Sequence, residues 1–452
     1  MTTTDLRAFN PFDPETLQCP FPHYAAMRAT DPVHEVGGLG FYLVTRHDLV
    51  LEVVRDPETY SNDFGQTSMP LPEEVRARML EVIADGYPRV STMLTADPPD
   101  HTRYRRLVTK AFTPKVISGL EPTIRSITTR LIDSWIERGA IEFVEEFAVP
   151  LPVEVIAKAL NVPDERLADF KKWSDDSIAG IGTNLGVEGR LQAERGVNEF
   201  QHYFAEQLAQ RRREPQDDLL TDLLNARISG DDPPIEGVAV TDTRALDVPE
   251  MLSILQQLLV AGNETTTKML TEMIRLLAEH PDEWQRVQDD PSRVDKVVEE
   301  TLRLSTPTQG MFRIAKKDVT LGGVDIPAGG RIVVVYCSAN RDEALFDDPD
   351  SFDPDRTNLK EHLAFGKGIH FCLGAALSRL EGRVALQELA RRLDIISLPA
   401  SNRYQYYPSF MLRGLTSLDL EFTSLLSPAT QAVADRSSAG APSLASEEGI
   451  QR

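Results

Sequence analysis

A chain of 452 residues, 41% hydrophobic and 26% charged, has the make-up of a globular protein rather than a fibrous or disordered one. Its 48 basic and 70 acidic residues leave a net charge of −22, which argues against binding to nucleic acid or to anionic membranes. Three cysteines, Cys19, Cys337 and Cys372, cannot build a disulfide framework and suit a reducing compartment.

Met1 to Asn10 lack an apolar core, and no apolar run approaches the roughly 18 residues of a spanning helix, so a cytoplasmic protein without a membrane anchor is expected. No repeat or composition break divides the chain. One domain over residues 1–423 is expected, mainly α with a minor β-sheet region, an α+β class.

In chain order, Gly40-Phe41-Tyr42-Leu43-Val44 reads as a strand, and helical periodicity dominates from Asp100 to Gln288. The longest helix opens at Pro249 and runs to His280, just before Pro281. Its middle, Val260-Ala261-Gly262-Asn263-Glu264-Thr265-Thr266-Thr267, places Gly, an acid and β-branched hydroxyls where helix formers belong. That is either a notch for a crossing helix or a local kink, with Glu264 and Thr265 facing a buried site. Strand signals return between Val319 and Val335, with Leu321 to Gly329 as the turn between strands. A helix is predicted over Leu373–Leu393 and short strands over Tyr404–Phe422. Beyond Thr423 the Ser, Ala and Pro of residues 424–452 predict a disordered tail.

Phe365-Gly366-Lys367-Gly368-Ile369-His370-Phe371-Cys372-Leu373-Gly374 puts three glycines around one cysteine, directly before a helix. Glycine lets the loop turn tightly and bring amides near the sulfur. A helix N-terminus favours the thiolate. Such a thiolate is a nucleophile or a metal ligand. As a nucleophile it would need a base and an oxyanion site, and none of the eight histidines has a thiol-enzyme context. As a zinc ligand it would need three more donors, and Cys19 and Cys337 lack partners at ligand spacing.

Together these runs resemble the cytochrome P450 family of haem-thiolate monooxygenases, over nearly the whole chain to Phe422. The carriers are Phe365, Gly366, Gly368, His370, Cys372 and Gly374 of the loop, and Ala261 to Thr266 of the long helix. Glu299-Glu300-Thr301-Leu302-Arg303, Ala339 to Asp342, Phe352 to Arg356, and Asp97 to Arg106 follow the family's order. The resemblance implies the cytochrome P450 fold, with haem b between the long helix and the cysteine loop. Cys372 is then the axial ligand and Phe365 part of the haem-binding loop. His101, Arg105, Arg313 and His370 serve the two propionates, a role that suits arginine's planar fork. Glu300, Arg303 and Arg356 are expected to form a structural ion network.

The implied activity is oxidation of a hydrophobic small molecule by O2, with Glu264 gating protons and Thr265 hydrogen-bonding at the oxygen. With no flavin segment and too few cysteines for a four-thiolate cluster, electrons are expected from a separate ferredoxin fed by an NAD(P)H-dependent reductase. Arg103, Arg106, Lys110, Lys115, Lys367, Arg379 and Arg383 are the cations expected to dock it, on a monomer. Gln257, Val260, Ala261, Gln309 to Phe312 (with Met311), Phe410 and Met411 are expected over the haem. Asn62–Thr95 is the expected lid and Phe170–Leu185 the roof. These aliphatic and Met positions suggest a bulky terpenoid, steroid, fatty-acyl or polyketide-like substrate. The alternatives are a peroxide-driven peroxygenase, against which the intact Glu264–Thr265 pair argues, a haem sensor or carrier without turnover, and a thiol hydrolase.

Overall fold

The computed structural model describes residues 6–63, 73–109, 112–179, 185–227 and 244–425. Its axis is a central helix, Val248–Glu279, of 32 residues. At 1.5 Å per residue it spans about 48 Å. Asp247 caps it: its carboxylate accepts the Glu250 N–H at 2.9 Å, while Glu250 accepts the Asp247 N–H at 2.8 Å. Pro249 lies in the first turn, and the helix ends where Pro281 follows His280. Helical hydrogen bonding is unbroken through Gly262. The helix Pro150–Ala159 crosses here, and a Cβ on Gly262 would meet Ile156 at 3.5 Å, an ordinary contact, so the crossing does not itself demand glycine.

Three more helices position the site. The edge helix is Asp100–Thr109, the proximal helix is Ala375–Arg392, and Val294–Ser305 carries Glu300 and Arg303. The proximal helix begins two residues later than its apolar pattern predicts, because Cys372 to Gly374 form the turn that introduces it. It packs against the central helix and Val294–Ser305 around Met269, Met273, Val298 and Val384. Leu167–Ile178 and Val187–Arg213 pack together as a roof.

The strands are β1 (Val33–Val36), β2 (Phe41–Val44), β3 (Tyr60–Ser61), β4 (Ala140–Glu142), β5 (Met311–Ala315), β6 (Val319–Leu321), β7 (Val324–Ile326), β8 (Arg331–Val334), β9 (Leu393–Ser397) and β10 (Asp419–Ser424). One sheet has the order β1-β2-β8-β5-β3, with only β2 and β8 parallel. A second has the order β4-β10-β9, and β6 and β7 form a hairpin. The run Leu321–Gly329 is therefore not one turn. Gly322 and Gly323, at φ +55° and +85°, turn the chain, and Val324–Ile326 returns as a strand. Between Tyr404 and Phe422 only single bridges, Thr308 with Leu412 and Tyr406 with Leu415, precede β10.

Glu300, Arg303 and Arg356 form the expected ion network. Arg303 Nε and Nη2 each reach a Glu300 oxygen at 2.7 Å, and Arg356 Nε donates to Glu300 at 3.0 Å. Arg303 also donates to the carbonyls of Asn340, Pro349 and Ser351. Glu300 and Arg303 are fully buried. No helix among the described residues is long and apolar enough to cross a membrane. The tail beyond residue 425, and the parts of the predicted lid and roof at 64–72 and 180–184, lie outside the described residues.

Candidate active site

The cysteine loop is shaped by Gly366 and Gly368, at φ +65° and +73°. A Cβ at Gly368 would stand 2.4 Å from the Val54 carbonyl oxygen, so the loop admits only glycine there. The Cys372 N–H donates to the Phe365 carbonyl at 2.9 Å, which closes the loop. Gly374 and Ala375 turn their N–H groups toward the sulfur. Burial nevertheless pushes the Cys372 thiol up, and these amides with Arg105 and Arg379 offset only part of that rise. The helix N-terminus acts in the predicted direction, but desolvation is larger. A metal cation against the sulfur would deprotonate it outright.

Opposite Cys372, the central helix presents Gln257, Leu258, Ala261, Gly262, Thr265 and Thr266. Between the two walls lies a mostly apolar cavity. At one edge the His101 and His370 rings are 4.2 Å apart. Both His101 nitrogens and His370 Nε2 are buried without a hydrogen-bond partner. Burial, then the charge of Arg105, lowers the His101 imidazole to about 4. Burial, then His101 and Arg313, lowers His370 to about 3. Arg105 lines the cavity and donates to the Phe371 carbonyl at 2.7 Å; Arg313 is buried and donates to the Phe312 carbonyl at 2.7 Å. Two guanidinium groups beside unpartnered imidazoles, along one edge of a mostly apolar cavity, fit a macrocycle that carries two carboxylates. The residues present fit haem.

Strand alternation sorts the predicted substrate residues. Met311 of β5 reaches the cavity, whereas Phe312 points the other way and packs edge-on against Phe41 and Phe410. Phe410 and Met411 are buried in that same cluster, and Gln309 is buried with its side chain donating to the Phe410 carbonyl. These four are not among the residues lining the cavity. Gln257 and Ala261 line it, while Val260 lines an adjoining groove that shares Leu94, Gln257 and Ala261 with it.

Thr265 faces the cavity, and its hydroxyl donates to the Ala261 carbonyl at 2.9 Å. Glu264 lies on the helix flank instead, ion-paired with Lys268. Three of the predicted docking cations are engaged elsewhere, Arg383 among them at 3.9 Å from Glu121 and from Asp295. Arg103 is 2% exposed and pairs with Glu250 at 2.9 Å, because the edge helix turns it toward the start of the central helix. Arg379 binds Glu299 and lies 4.4 Å over the Phe365 ring. Lys110 lies outside the described residues.

Thr266, Ser378 and Glu381 also line the cavity, and the sequence reading did not select them. Glu381 had a legible signal, since Leu377, Glu381 and Val384 share the apolar face of the proximal helix. It is 2% exposed, its Oε2 has no partner, and burial holds its carboxyl well above the usual range. The folded state therefore keeps a proton that the unfolded chain releases above about pH 4.3. Stability falls as pH rises through that window. Glu381→Gln is expected to gain in melting temperature relative to wild type as pH goes from 4.5 to 8. Thermal scans at both pH values check this, and a constant difference would refute it.

A glycine loop that brings one cysteine beneath a long helix, with a carboxylate-binding edge between them, defines a haem-thiolate protein. The cytochrome P450 family model matches residues 190–414. Cytochrome P450 107B1 of Saccharopolyspora erythraea is 37% identical over 92% of this chain and 98% of its own length. Vitamin D(3) 25-hydroxylase of Pseudonocardia autotrophica is 36% identical over 92% and 97%. The solved structure of cytochrome P450 CYP109Q5 from Chondromyces apiculatus superposes with a TM-score of 0.80 at 38% identity, covering 93% of this chain and 100% of that one. CYP109E1 from Bacillus megaterium, solved in complex with testosterone, gives 0.75 at 33%, covering 89% and 99%. The chain belongs to the cytochrome P450 family. It is a monooxygenase whose cofactor is haem with an axial cysteine thiolate.

Proposed function

We propose that this enzyme hydroxylates a large, rigid, mainly apolar molecule of the steroid or secosteroid kind, using electrons from a separate acidic ferredoxin. The observation that carries the reading is the apolar wall on the central-helix side of the haem site, formed by Leu94, Leu258, Ala261 and Met311, which adjoins a groove along Val90, Leu94 and Val260. Burying fused rings there would contribute roughly 25 cal/mol for each Å² removed from water. Gln257 and Thr308 are polar groups in the wall that could orient a hydroxyl or ketone. The relatives named for vitamin D(3) hydroxylation and solved with testosterone support the same substrate class.

Haem, when bound, supplies O2 activation and the oxidising chemistry. Cys372 provides the thiolate, with Gly374 and Ala375 amides limiting its charge. His101, Arg105, Arg313 and His370 hold the propionates. Leu258, Leu302 and Leu377 keep bulk water from the cavity. The Thr265 hydroxyl passes a proton into the cavity, and Glu264 is the acid that resupplies it through water. On the cysteine loop and the helix Pro114–Gly119, Lys115, Val116 and Phe371 are exposed and Lys367 is partly exposed. Exposed cations together with exposed apolar side chains suit an acidic redox partner.

Titration of the Soret band tests the substrate class. A steroid or secosteroid is expected to shift it with an affinity at least about tenfold tighter than a long-chain fatty acid, about 1.4 kcal/mol. Tighter fatty-acid binding would replace the proposal with an acyl substrate.

A further inference from the structure

We propose that Lys268 positions the acid of the proton supply, holding the Glu264 carboxylate on the flank of the central helix until their ion pair opens. The inference rests on the reading of Glu264 as that acid. An i,i+4 pair on a helix is ordinarily a solvated surface pair of small consequence. This one is not on the surface. The Lys268 side chain is 7% exposed and that of Glu264 14%. A lysine so enclosed needs a partner for its charge.

The surroundings are built for the lysine stem. A Cβ at Gly414 would lie 2.2 Å from Lys268 Cγ, so the chain keeps a bare backbone where the stem passes. Tyr407 turns its ring toward the ammonium, with Nζ 5.4 Å from the centroid. The ring face offers the cation a second resting place, and the four-carbon stem can swing to it without leaving the pocket. Glu264 would then be free to turn toward Thr265, its neighbour on the cavity side.

Asp175 of the roof faces the same pair, itself ion-paired with Lys171 and followed by Asp176. Burial first, then the charges of Glu264 and Asp176, raise the Asp175 carboxyl against the pull of Lys171. Burial, then Glu264 and Asp175, likewise raise the Tyr407 hydroxyl. Lys268 thus stands between Glu264 and Tyr407, and Asp175, paired with Lys171, faces Glu264.

Lys268→Met in the haem-loaded enzyme tests the assignment, since methionine keeps the stem and loses the cation. Two readouts are followed against pH: coupling of NAD(P)H to product, and the infrared band of protonated carboxyl that Glu264→Gln removes. With the cation gone the carboxylate is no longer held on the flank away from Thr265, and both readouts are expected to follow a different pH profile from wild type. Identical profiles for Lys268→Met and wild type would overturn the proposal and leave the lysine a packing residue. If Lys268→Met does not assemble with haem, Lys268→Gln carries the same two measurements. Should Glu264→Gln leave coupling unchanged, Glu264 is not the acid, whatever the band of Lys268→Met does.

Discussion

Arg303→Ala is expected to yield little or no folded, haem-loaded protein at 37 °C. Arg303 is fully buried with Glu300, and its donors hold both Glu300 oxygens and three backbone carbonyls from the segment 340–351. Removing it leaves the buried Glu300 carboxylate with only Arg356 and the Asp353 N–H, and takes a charged donor from all three carbonyls. Breaking a buried pair in this way costs about 3–5 kcal/mol. A domain has only about 5–15 kcal/mol of net stability. The effect reaches the site through the chain that follows. Asn340 binds Thr306 through its amide at 2.8 Å and accepts the Leu363 N–H at 2.6 Å, two residues before Phe365 opens the cysteine loop. Arg303→Lys is not expected to rescue, because one ammonium cannot supply a bidentate fork and three carbonyl contacts. Soluble yield, haem content and thermal scans check this. Wild-type haem content and melting in Arg303→Ala would show that the network is dispensable.

That network was legible in the sequence because its spacing is local. Glu300 and Arg303 are one turn apart, and Arg356 follows in a recognisable run. The central helix was legible for a similar reason: Pro249 and Pro281 mark its ends chemically. The loop glycines also announce their geometry, since positive φ at Gly366 and Gly368 has few other occupants. The substrate side was harder to read. Met311, Phe312 and Arg313 are consecutive, and only the pairing of β5 with β8 decides which of them points inward. Phe410 and Met411 are apolar in either setting, so composition could not tell a cavity wall from the core around Phe9 and Tyr24. Charges were misassigned where a distant partner claimed them, as Glu250 claims Arg103 and Glu299 claims Arg379. Glu264 shows the same limit. Its motif predicts a role near oxygen, but its partner four residues on sets where the carboxylate rests.

Cys372→Ser is expected to abolish both the reduced-CO absorbance typical of thiolate ligation and all substrate oxidation. The sulfur sits where two opposing effects meet. Burial favours the neutral thiol, whereas the Gly374 and Ala375 amides and the Arg105 and Arg379 charges favour the thiolate. A metal cation settles that contest for sulfur, because a coordinating thiol loses its proton. Serine offers a neutral hydroxyl in the same dry place, and without an anionic ligand the electron push toward O–O cleavage is lost. The expected product is a protein with weakened haem retention and no turnover, not an unfolded one, since serine preserves the loop's backbone bond from residue 372 to the Phe365 carbonyl. The other two cysteines provide the control. Cys19 is exposed, and Cys337 is buried against the Gln309 amide oxygen at 3.4 Å, with burial pushing its thiol up to about 12. Cys19→Ser and Cys337→Ser are expected to keep the thiolate band. Persistence of that band in Cys372→Ser, or its loss in Cys337→Ser alone, would move the ligand away from the glycine loop and undo the orientation of the site.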